Sequence, residues 1–232
     1  RGHWITGRVS AQPLSSVVAE ICGRSDVADI DVSGLYGLVR GYSVADIGTG
    51  RAALQPLMLG YGFEAVERDG KLRFRMRDGV SVAEIGSDAL AVSEGTDGWV
   101  ETSRATEAEM AGRVRLSYVE AEGDYEARAV EAIFPDEETR GVAQSELSLA
   151  LTRSEGQRIV ERWLAEARVS RDGARFALAP SLGHLGAGDV VTLEGGLYRS
   201  DRVEQAVPWG WRPSGSNLPS SSRRTWPRSG SR

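Results

Sequence analysis

The chain has 232 residues, of which 28 are basic and 33 acidic, so its formal net charge at pH 7 is −5. A hydrophobic fraction of 41% is enough for a buried core, and the length fits one large domain or two to three small ones. No apolar run approaches the roughly 20 residues that cross a bilayer, and the first residues carry no initiator Met and no apolar signal region. We therefore expect no membrane span, no export signal and a chain that is part of a longer protein.

The first part of the chain predicts a small α+β module. Apolar residues recur at helical spacing from Pro13 to Cys22, residues 38–44 indicate a short strand, and a helix follows that Thr49 or Ser43 is suited to cap. Pro56 lies inside that helix and predicts a short or bent helix that ends near Gly60 and Gly62. Residues 63–67 and 71–76 alternate in character around Asp69-Gly70, which predicts a β-hairpin with a tight turn. Its apolar face would consist of Phe63, Ala65, Leu72, Phe74 and Met76.

The second part predicts more strands and one firm helix. Residues 80–111 are polar with weak signals, residues 114–133 indicate a second long hairpin, and residues 145–151 alternate as a strand. Ser154 and Gln157 form a capping-box pattern at the start of a helix. The apolar stripe of that helix would be Ile159, Val160, Trp163, Leu164 and Ala167. Strand patterns follow at 176–179, 189–193 and 197–204, with Gly195-Gly196 as a tight turn between the last two.

This order predicts an α+β fold with consecutive domains. We expect a small α+β module at residues 1–90 and an antiparallel β-barrel or sandwich with one packed helix at residues 91–207. Residues 208–232 differ from the rest, because they hold three of the six tryptophans and five arginines but no acidic residue. Such a segment cannot bury a core. We expect it to be disordered or non-native, with a basic interaction arm as the alternative.

Candidate catalytic and metal-binding residues are few. Cys22 is the only cysteine, which excludes an intramolecular disulfide, and its place on an apolar helix face indicates a core thiol rather than a reactive one. His3 and His184 are the two histidines, and neither has the local signature of a catalytic triad. The acidic clusters at 120–124 and 136–138 lack the spacing of an EF-hand loop and are typical of solvated turns. We predict no catalytic residue and no metal ligand.

Nucleotide and nucleic-acid sites are not predicted either. The glycines of 34–37 and 48–50 are followed by neither a P-loop lysine nor a complete dinucleotide fingerprint. Lys71 is the only lysine among the 28 basic residues, a bias that indicates GC-rich coding more simply than phosphate recognition. The negative net charge also argues against an arginine-rich nucleic-acid surface. We expect no cofactor and no specific nucleic-acid site.

Several stretches in order resemble the tail proteins of alphaproteobacterial gene transfer agents. They are Gly2-His3-Trp4-Ile5-Thr6-Gly7-Arg8, residues 13–22, Val39-Arg40-Gly41-Tyr42, residues 51–57, residues 62–67, Gly70-Lys71-Leu72-Arg73-Phe74 and the region 154–167. The resemblance covers about residues 1–205, and the segment 208–232 departs from it. These family proteins are large, with a glycosidase-like region upstream of a baseplate hub region, and this chain resembles the hub region.

The resemblance implies a structural, non-enzymatic part of a virion tail. It implies a baseplate hub that joins the tail tube to the tail tip, tube-like β-barrel domains, self-association into a trimer, contacts with tail tube, distal tail and tip proteins, and assembly in the bacterial cytoplasm. Two alternatives stay open. One is a tail-associated cell-wall hydrolase, and the other is a glycan-binding module that uses Trp99 or the tryptophans of 208–232.

Overall fold

The computed structural model describes residues 11–44, 48–92, 98–106, 112–122, 125–134, 141–204 and 221–224, the last four as backbone only. Three α-helices lie in these ranges: α1 (Leu14–Arg24), α2 (Gly50–Tyr61) and α3 (Arg153–Val169). The strands are β1 (Gln12–Pro13), β2 (Ile30–Gly34), β3 (Leu38–Val39), β4 (Gly41–Tyr42), β5 (Phe63–Arg68), β6 (Lys71–Met76), β7 (Ala83–Ile85), β8 (Leu90–Ala91), β9 (Val100–Arg104), β10 (Arg113–Glu120), β11 (Ala127–Ile133), β12 (Val142–Leu151), β13 (Asp172–Leu178), β14 (Val190–Leu193), β15 (Gly196–Arg202) and β16 (Ser221–Arg224). The predicted α+β class is confirmed.

Packing divides the chain into two compact units, each built from two separate segments. The first unit takes residues 1–77 and 111–164, and the second takes residues 78–110 and 165–232. The predicted domains at 1–90 and 91–207 are consecutive, so the packing divides the chain differently. That domain assignment stays a prediction. Of the predicted tail 208–232, only the backbone of Ser221–Arg224 is among the described residues.

Helices α1 and α2 of the first unit follow the predicted apolar patterns. Leu14, Val18 and Cys22 are spaced four residues apart and are buried along one face of α1. The hydroxyl of Thr49 accepts a hydrogen bond from the Ala52 N–H at 3.3 Å and so caps α2, as predicted. Pro56 lies within α2, which continues to Tyr61 and so ends where the sequence predicted.

The predicted hairpin of the first unit is confirmed. Strands β5 and β6 pair antiparallel across Asp69 and Gly70, which have φ values of 55° and 71°. Two left-handed central residues are what a two-residue primed turn requires. Phe63 and Phe74 are buried on the predicted apolar face, with an edge-to-face contact at 6.2 Å between ring centroids. Strand β2, which the sequence did not predict, joins β6 in parallel.

The larger sheet of the first unit has the order β11-β10-β12-β4. The second predicted hairpin forms as the antiparallel pair β10 and β11, while β12 lies parallel to β10. Predicted residues 38–44 form two short strands, β3 and β4, and only β4 joins this sheet. Leu116, Leu149 and Val160 are each fully buried in the core that this sheet shares with the helices.

The second unit is built on one sheet with the order β7-β14-β15-β16-β13-β8, and β9 also pairs with β13. Its core includes Phe176, Val191 and Tyr198. The turn between β14 and β15 is formed by Glu194 and Gly195, with φ values of 49° and 78°, one residue earlier than predicted. Strands β7, β8 and β9 lie in the polar stretch 80–111, whose strand and helix signals are weak.

Two features of the predicted β-structure need correction. The sheets are not wholly antiparallel, because β2 with β6, β10 with β12 and β7 with β14 pair in parallel. Among the described strands no sheet closes on itself, so the sandwich-like alternative fits and a closed barrel is not found. Parallel pairing brings together strands far apart in sequence, and alternation within one strand carries no information about its partner.

Candidate interaction surface

Cys22 is a buried, free thiol in the core of the first unit. Only 2% of the residue is exposed, and burial raises the pKa of its thiol. A raised pKa leaves less of the nucleophilic thiolate at neutral pH. The structure therefore supports the prediction of a core thiol at this position.

His184 lies exposed on the loop before β14. The nearest carboxylate along the chain, Asp189, is buried and accepts a hydrogen bond from the Gly186 N–H at 2.7 Å. Asp189 also bonds Gly186 and Ser200 through its own backbone. The Asp189 carboxylate thus holds the two ends of this loop together. Its hydrogen bond explains why an acidic side chain is buried here.

The acidic clusters give no metal centre in the part of the chain that the structure describes. Glu120 uses its carboxylate locally, because it accepts the Glu122 N–H and the Tyr118 hydroxyl, both at 3.4 Å. Within the described ranges no group of three His, Cys, Asp or Glu side chains is placed to hold a metal ion. His3, Asp124 and the cluster 136–138 lie outside the described residues.

The glycine-rich turn 48–50 serves the start of α2 and packs against the chain. Thr49 caps the helix, and a Cβ at Gly50 would collide with the Ser25 side chain. A phosphate cradle needs open space in front of the first helical N–H groups. The glycine at position 50 is explained by its close packing against Ser25. In the described residues no helix is long and apolar enough to span a membrane.

The C-terminus of α2 is held by side chains of α3. Arg162 donates hydrogen bonds from Nη2 to the carbonyl oxygens of Leu59 and Gly60, and Trp163 donates from Nε1 to Leu59 at 3.1 Å. These carbonyls belong to the last turn of α2. They therefore have no hydrogen-bond donor within the helix, and they carry partial negative charge. The Trp163 stripe predicted as core therefore also supplies a specific cap.

The N-terminus of α3 is capped by Thr152 and Glu155 rather than by Ser154 and Gln157. The Thr152 hydroxyl accepts the Glu155 N–H at 3.2 Å, while the Glu155 carboxylate accepts the Thr152 N–H at 2.8 Å. This is a reciprocal capping box. Gln157 instead donates to Glu161 along the helix. The predicted box was wrong because α3 begins at Arg153, so Ser154 already lies within its first turn.

Arg40 connects this cap to the β3–β4 segment. Its Nε lies 3.3 and 3.2 Å from the two Glu155 carboxylate oxygens. Partial burial by itself raises the pKa of Glu155, but the hydrogen bonds from Thr152 and the Arg40 charge outweigh it and hold that pKa below its usual range. The carboxylate is therefore ionised at neutral pH.

Strands β11 and β9 each leave one side of their backbone unpaired within the described structure. Strand β11 is the outer strand of its sheet, and β9 pairs only with β13. The exposed residues of β11 include Ala127, Ala129 and Ile133, and residues 101–104 of β9 are all exposed. Open strand edges present N–H and C=O groups that a further strand can bind. These two edges, named here the β11 edge and the β9 edge, are the candidate interaction surface.

Exposed large apolar side chains accompany these edges. Trp99, just before β9, is 55% exposed, and Ile133 and Val142, which both pair with Arg113 across the sheet, are 49% and 54% exposed. Residues opposite one another in neighbouring strands share a face. Ile133 and Val142 therefore lie on the same face of the sheet, on either side of Arg113.

Comparison with known proteins identifies related chains. A family model described as "Putative phage tail protein" matches residues 49–205. A chain of a solved native gene transfer agent virion is similar over 98% of this chain, with 61% sequence identity and a TM-score of 0.85. A tail protein of Neisseria meningitidis MC58 covers 93% of this chain with a TM-score of 0.55, and at 11% identity it supports the fold alone. No curated protein matches.

The chain is shorter than these relatives. It spans 50% of the gene transfer agent virion chain and 66% of the Neisseria tail protein. Residues 49–205 include most of both compact units, so the family match is not confined to one of them.

Proposed function

Because the chain belongs to the family described as "Putative phage tail protein", we propose that it is a structural part of a phage-like particle tail that acts through contacts between subunits. Its place in the particle is the baseplate hub, between the tail tube and the tail tip. It has no catalytic role of its own, and it meets neighbouring tail proteins as well as further copies of itself.

One observation carries this proposal. The chain is 61% identical, over 98% of its length, to a chain of a native gene transfer agent virion. At that identity the same fold is expected, and a role in the same kind of particle follows most simply. Of the chemical candidates, Cys22 is packed in the core, and the carboxylate nearest to His184 along the chain, Asp189, accepts a backbone hydrogen bond from Gly186.

Particle assembly tests the proposal. In cells that produce the particles, the full-length gene is replaced by one with Leu116→Asp, which places a charge in the fully buried core of the β11 sheet. Arg115→Asp, at the exposed neighbouring position, is the matched control. We expect the Leu116 variant to yield tails that are absent or end without a tip in electron micrographs, while the control yields complete particles.

Particle morphology and two assays on the purified chain separate the structural proposal from its alternatives. Complete tails with normal morphology in the Leu116→Asp variant would contradict a structural role. Release of muropeptides from cell walls by the purified chain would show a hydrolase, and retention of the chain on insoluble peptidoglycan, lost with Trp99→Ala, would show a glycan-binding module. We expect neither.

A further inference from the structure

We propose that the gap between β13 and β15 is a binding site for one extended peptide segment, which residues 221–224 of the same chain occupy as β16. We further propose that this segment can leave the gap while the second unit stays folded. The gap is named here the strand slot. The inference goes beyond the proposed function and does not depend on the tail role.

The strand slot has a strand on each side. Strand β16 pairs antiparallel with β13 at residues 173–175 and antiparallel with β15 at residues 198–202. Neighbouring strands lie about 4.8 Å apart, so the two walls of the slot are roughly 10 Å apart. Backbone groups cannot bond directly across such a distance. The slot therefore accepts a single strand that runs antiparallel to both walls.

The bonds between β14 and β15 define which groups of β15 face the slot. Ser200 N–H donates to the Asp189 carbonyl at 2.8 Å, and the Ser200 carbonyl accepts the Gly188 N–H at 2.6 Å. Ser200 thus bonds away from the slot. In an antiparallel ladder the bonded residues alternate. The N–H and C=O groups of Arg199 therefore face the slot.

The same reasoning applies to the β13 wall, whose other side pairs with β9. Ala105 N–H donates to the Arg171 carbonyl at 2.9 Å, which continues the pairing of Arg104 with Asp172. Odd-numbered residues of β13 therefore bond β9. The backbone groups of the even-numbered residues, including Ala174, face the slot.

The two walls are in phase with one strand. Ser222 is the register partner of Ala174, and Arg223 is the register partner of Arg199. Because bonding alternates along a strand, residue 222 bonds the β13 wall and residue 223 bonds the β15 wall. The β11 edge and the β9 edge offer only one wall each in the described structure. The slot offers two, and it holds a strand.

Side-chain packing holds the two walls together independently of these backbone bonds. The core of the second unit includes Ala174 and Phe176 from β13. It also includes Val191 from β14 and Tyr198 from β15. Burial of apolar surface is the main favourable contribution to folding. We therefore expect β13 and the β14–β15 hairpin to stay packed together when β16 leaves.

Strand β16 has few features that would hold it permanently. It has four residues, Ser-Ser-Arg-Arg, and neither residue type is enriched in strands. Arg223 is the register partner of Arg199, and like charges directly opposite are destabilising. The Asp201 carboxylate, 3.6 Å from the Arg199 guanidinium, offsets part of this repulsion. Backbone bonds are thus the main attraction, which favours reversible binding.

One register position of the slot selects the bound residue. Position 222 lies between Ala174 and Ser200, which are 3% and 8% exposed. Register partners share a face of the sheet, so this position lies on the buried face. A charge placed there would lose its hydration. The ligand class is therefore an extended peptide with an uncharged residue at this position.

Hydrogen exchange in the 232-residue chain tests whether β16 leaves alone. Ser222→Pro removes the N–H that bonds the β13 wall, and Ser222→Thr keeps it as the matched control. In the proline variant we expect the amides of Ala174 and Arg199 to exchange about tenfold faster or more. The Ser200 amide, which bonds Asp189, should keep its protection. The threonine variant should exchange as the unmodified chain does.

Binding of a separate peptide tests the slot itself. The probe is a labelled peptide with the sequence of residues 219–227, followed by fluorescence anisotropy. We expect the Ser222→Pro chain to bind it about tenfold more tightly or more than the unmodified chain, whose own strand competes at an effective concentration on the order of 1 mM. A peptide with Ser222→Asp should bind about tenfold more weakly. A peptide with Ser222→Thr should bind as the original one.

Four results would overturn the inference. The first is unchanged exchange of Ala174 in the Ser222→Pro chain, and the second is absence of peptide binding to that chain. If the proline chain unfolds in circular dichroism, the Ser222→Asp chain replaces it, and unfolding of both would show that the slot does not persist without its strand.

The fourth result concerns the source of the strand. Self-association of the unmodified chain in light scattering that Ser222→Pro abolishes would show that a second copy, rather than the same chain, fills the slot. We expect no such change. These outcomes are independent of the particle assembly experiment, so failure of the strand slot and failure of the tail role are distinguishable.

Discussion

Gly62 closes α2 in a left-handed conformation against the Arg162 guanidinium. Its φ is 72°, and a Cβ there would lie 2.7 Å from Arg162 Nη1. Gly70 has nearly the same φ, 71°, but its Cβ would meet nothing within 4 Å. Left-handed backbone costs a non-glycine residue roughly 1–2 kcal/mol. A comparison of Gly62 with Gly70 therefore separates the cost of backbone strain from the cost of crowding an added Cβ.

We predict that Gly70→Ala lowers the free energy of unfolding by about 1–2 kcal/mol. Gly62→Ala should lower it by about 1–2 kcal/mol more, because the added Cβ forces Arg162 away from the α2 carbonyls. Urea denaturation followed by circular dichroism measures both. In an Arg162→Ala background the additional cost at Gly62 should disappear. Equal costs at the two glycines would show that the guanidinium yields freely.

Gly60 and Gly23 form a second pair at the residue scale, both inside helices. A Cβ at Gly60 would lie 2.6 Å from Leu149 Cδ1, whereas a Cβ at Gly23 would meet nothing within 4 Å. Alanine is favoured over glycine in a helix by about 1 kcal/mol, and overpacking a core costs about 1–3 kcal/mol. Gly23→Ala should raise the melting temperature and Gly60→Ala should lower it. A higher melting temperature in both variants would contradict the close packing of α2 on β12.

At the scale of elements, the Arg40–Glu155–Thr152 cluster gives the start of α3 a pH-dependent stability. The folded protein holds the pKa of Glu155 below its usual range. A lowered pKa adds stability that is fully present above the unfolded pKa and is lost as the pH falls through the folded one. Glu155→Gln removes this contribution.

We expect Glu155→Gln to be less stable than the unmodified chain at pH 7 by about 0.5–2 kcal/mol, the usual value of a helix cap, and the difference to shrink as the pH falls below the usual range of a carboxyl group. Thermal unfolding between pH 3 and pH 7 measures the difference. Glu161→Gln, in the same helix but outside the cap, is the matched control and should show no such convergence. A difference that persists unchanged at pH 3 would contradict the ionised cap.

Elements with strong local signals could be predicted from the sequence. Helix α2 with its Thr49 cap and the Asp69-Gly70 hairpin depend on residues close together in the chain, and both are confirmed. Strands β7 and β9 could not be predicted, because their stability comes from pairing with β14 and β13, more than 60 residues away. Tertiary pairing outweighs weak local propensity in such strands.

The candidate interaction surface shows the same limit. The sequence placed Ala127 and Ala129 in a hairpin, but it contained no sign that this strand would be the outermost in its sheet. That property depends on β12 pairing in parallel on the other side of β10. An edge is a feature of sheet order, which residues within one strand do not encode.

At the scale of the whole molecule, the chain has two compact units, and the family match includes most of both.

The most direct test locates the protein in the particle. An epitope tag inserted between Asp69 and Gly70, in an exposed turn where nothing crowds the backbone, should leave both units folded. In electron micrographs of particles from cells that carry the tagged full-length gene, gold-labelled antibody should bind at the tail, at its end away from the head. Labelling of the heads, or purified particles that contain no tagged protein, would contradict the assignment to the tail.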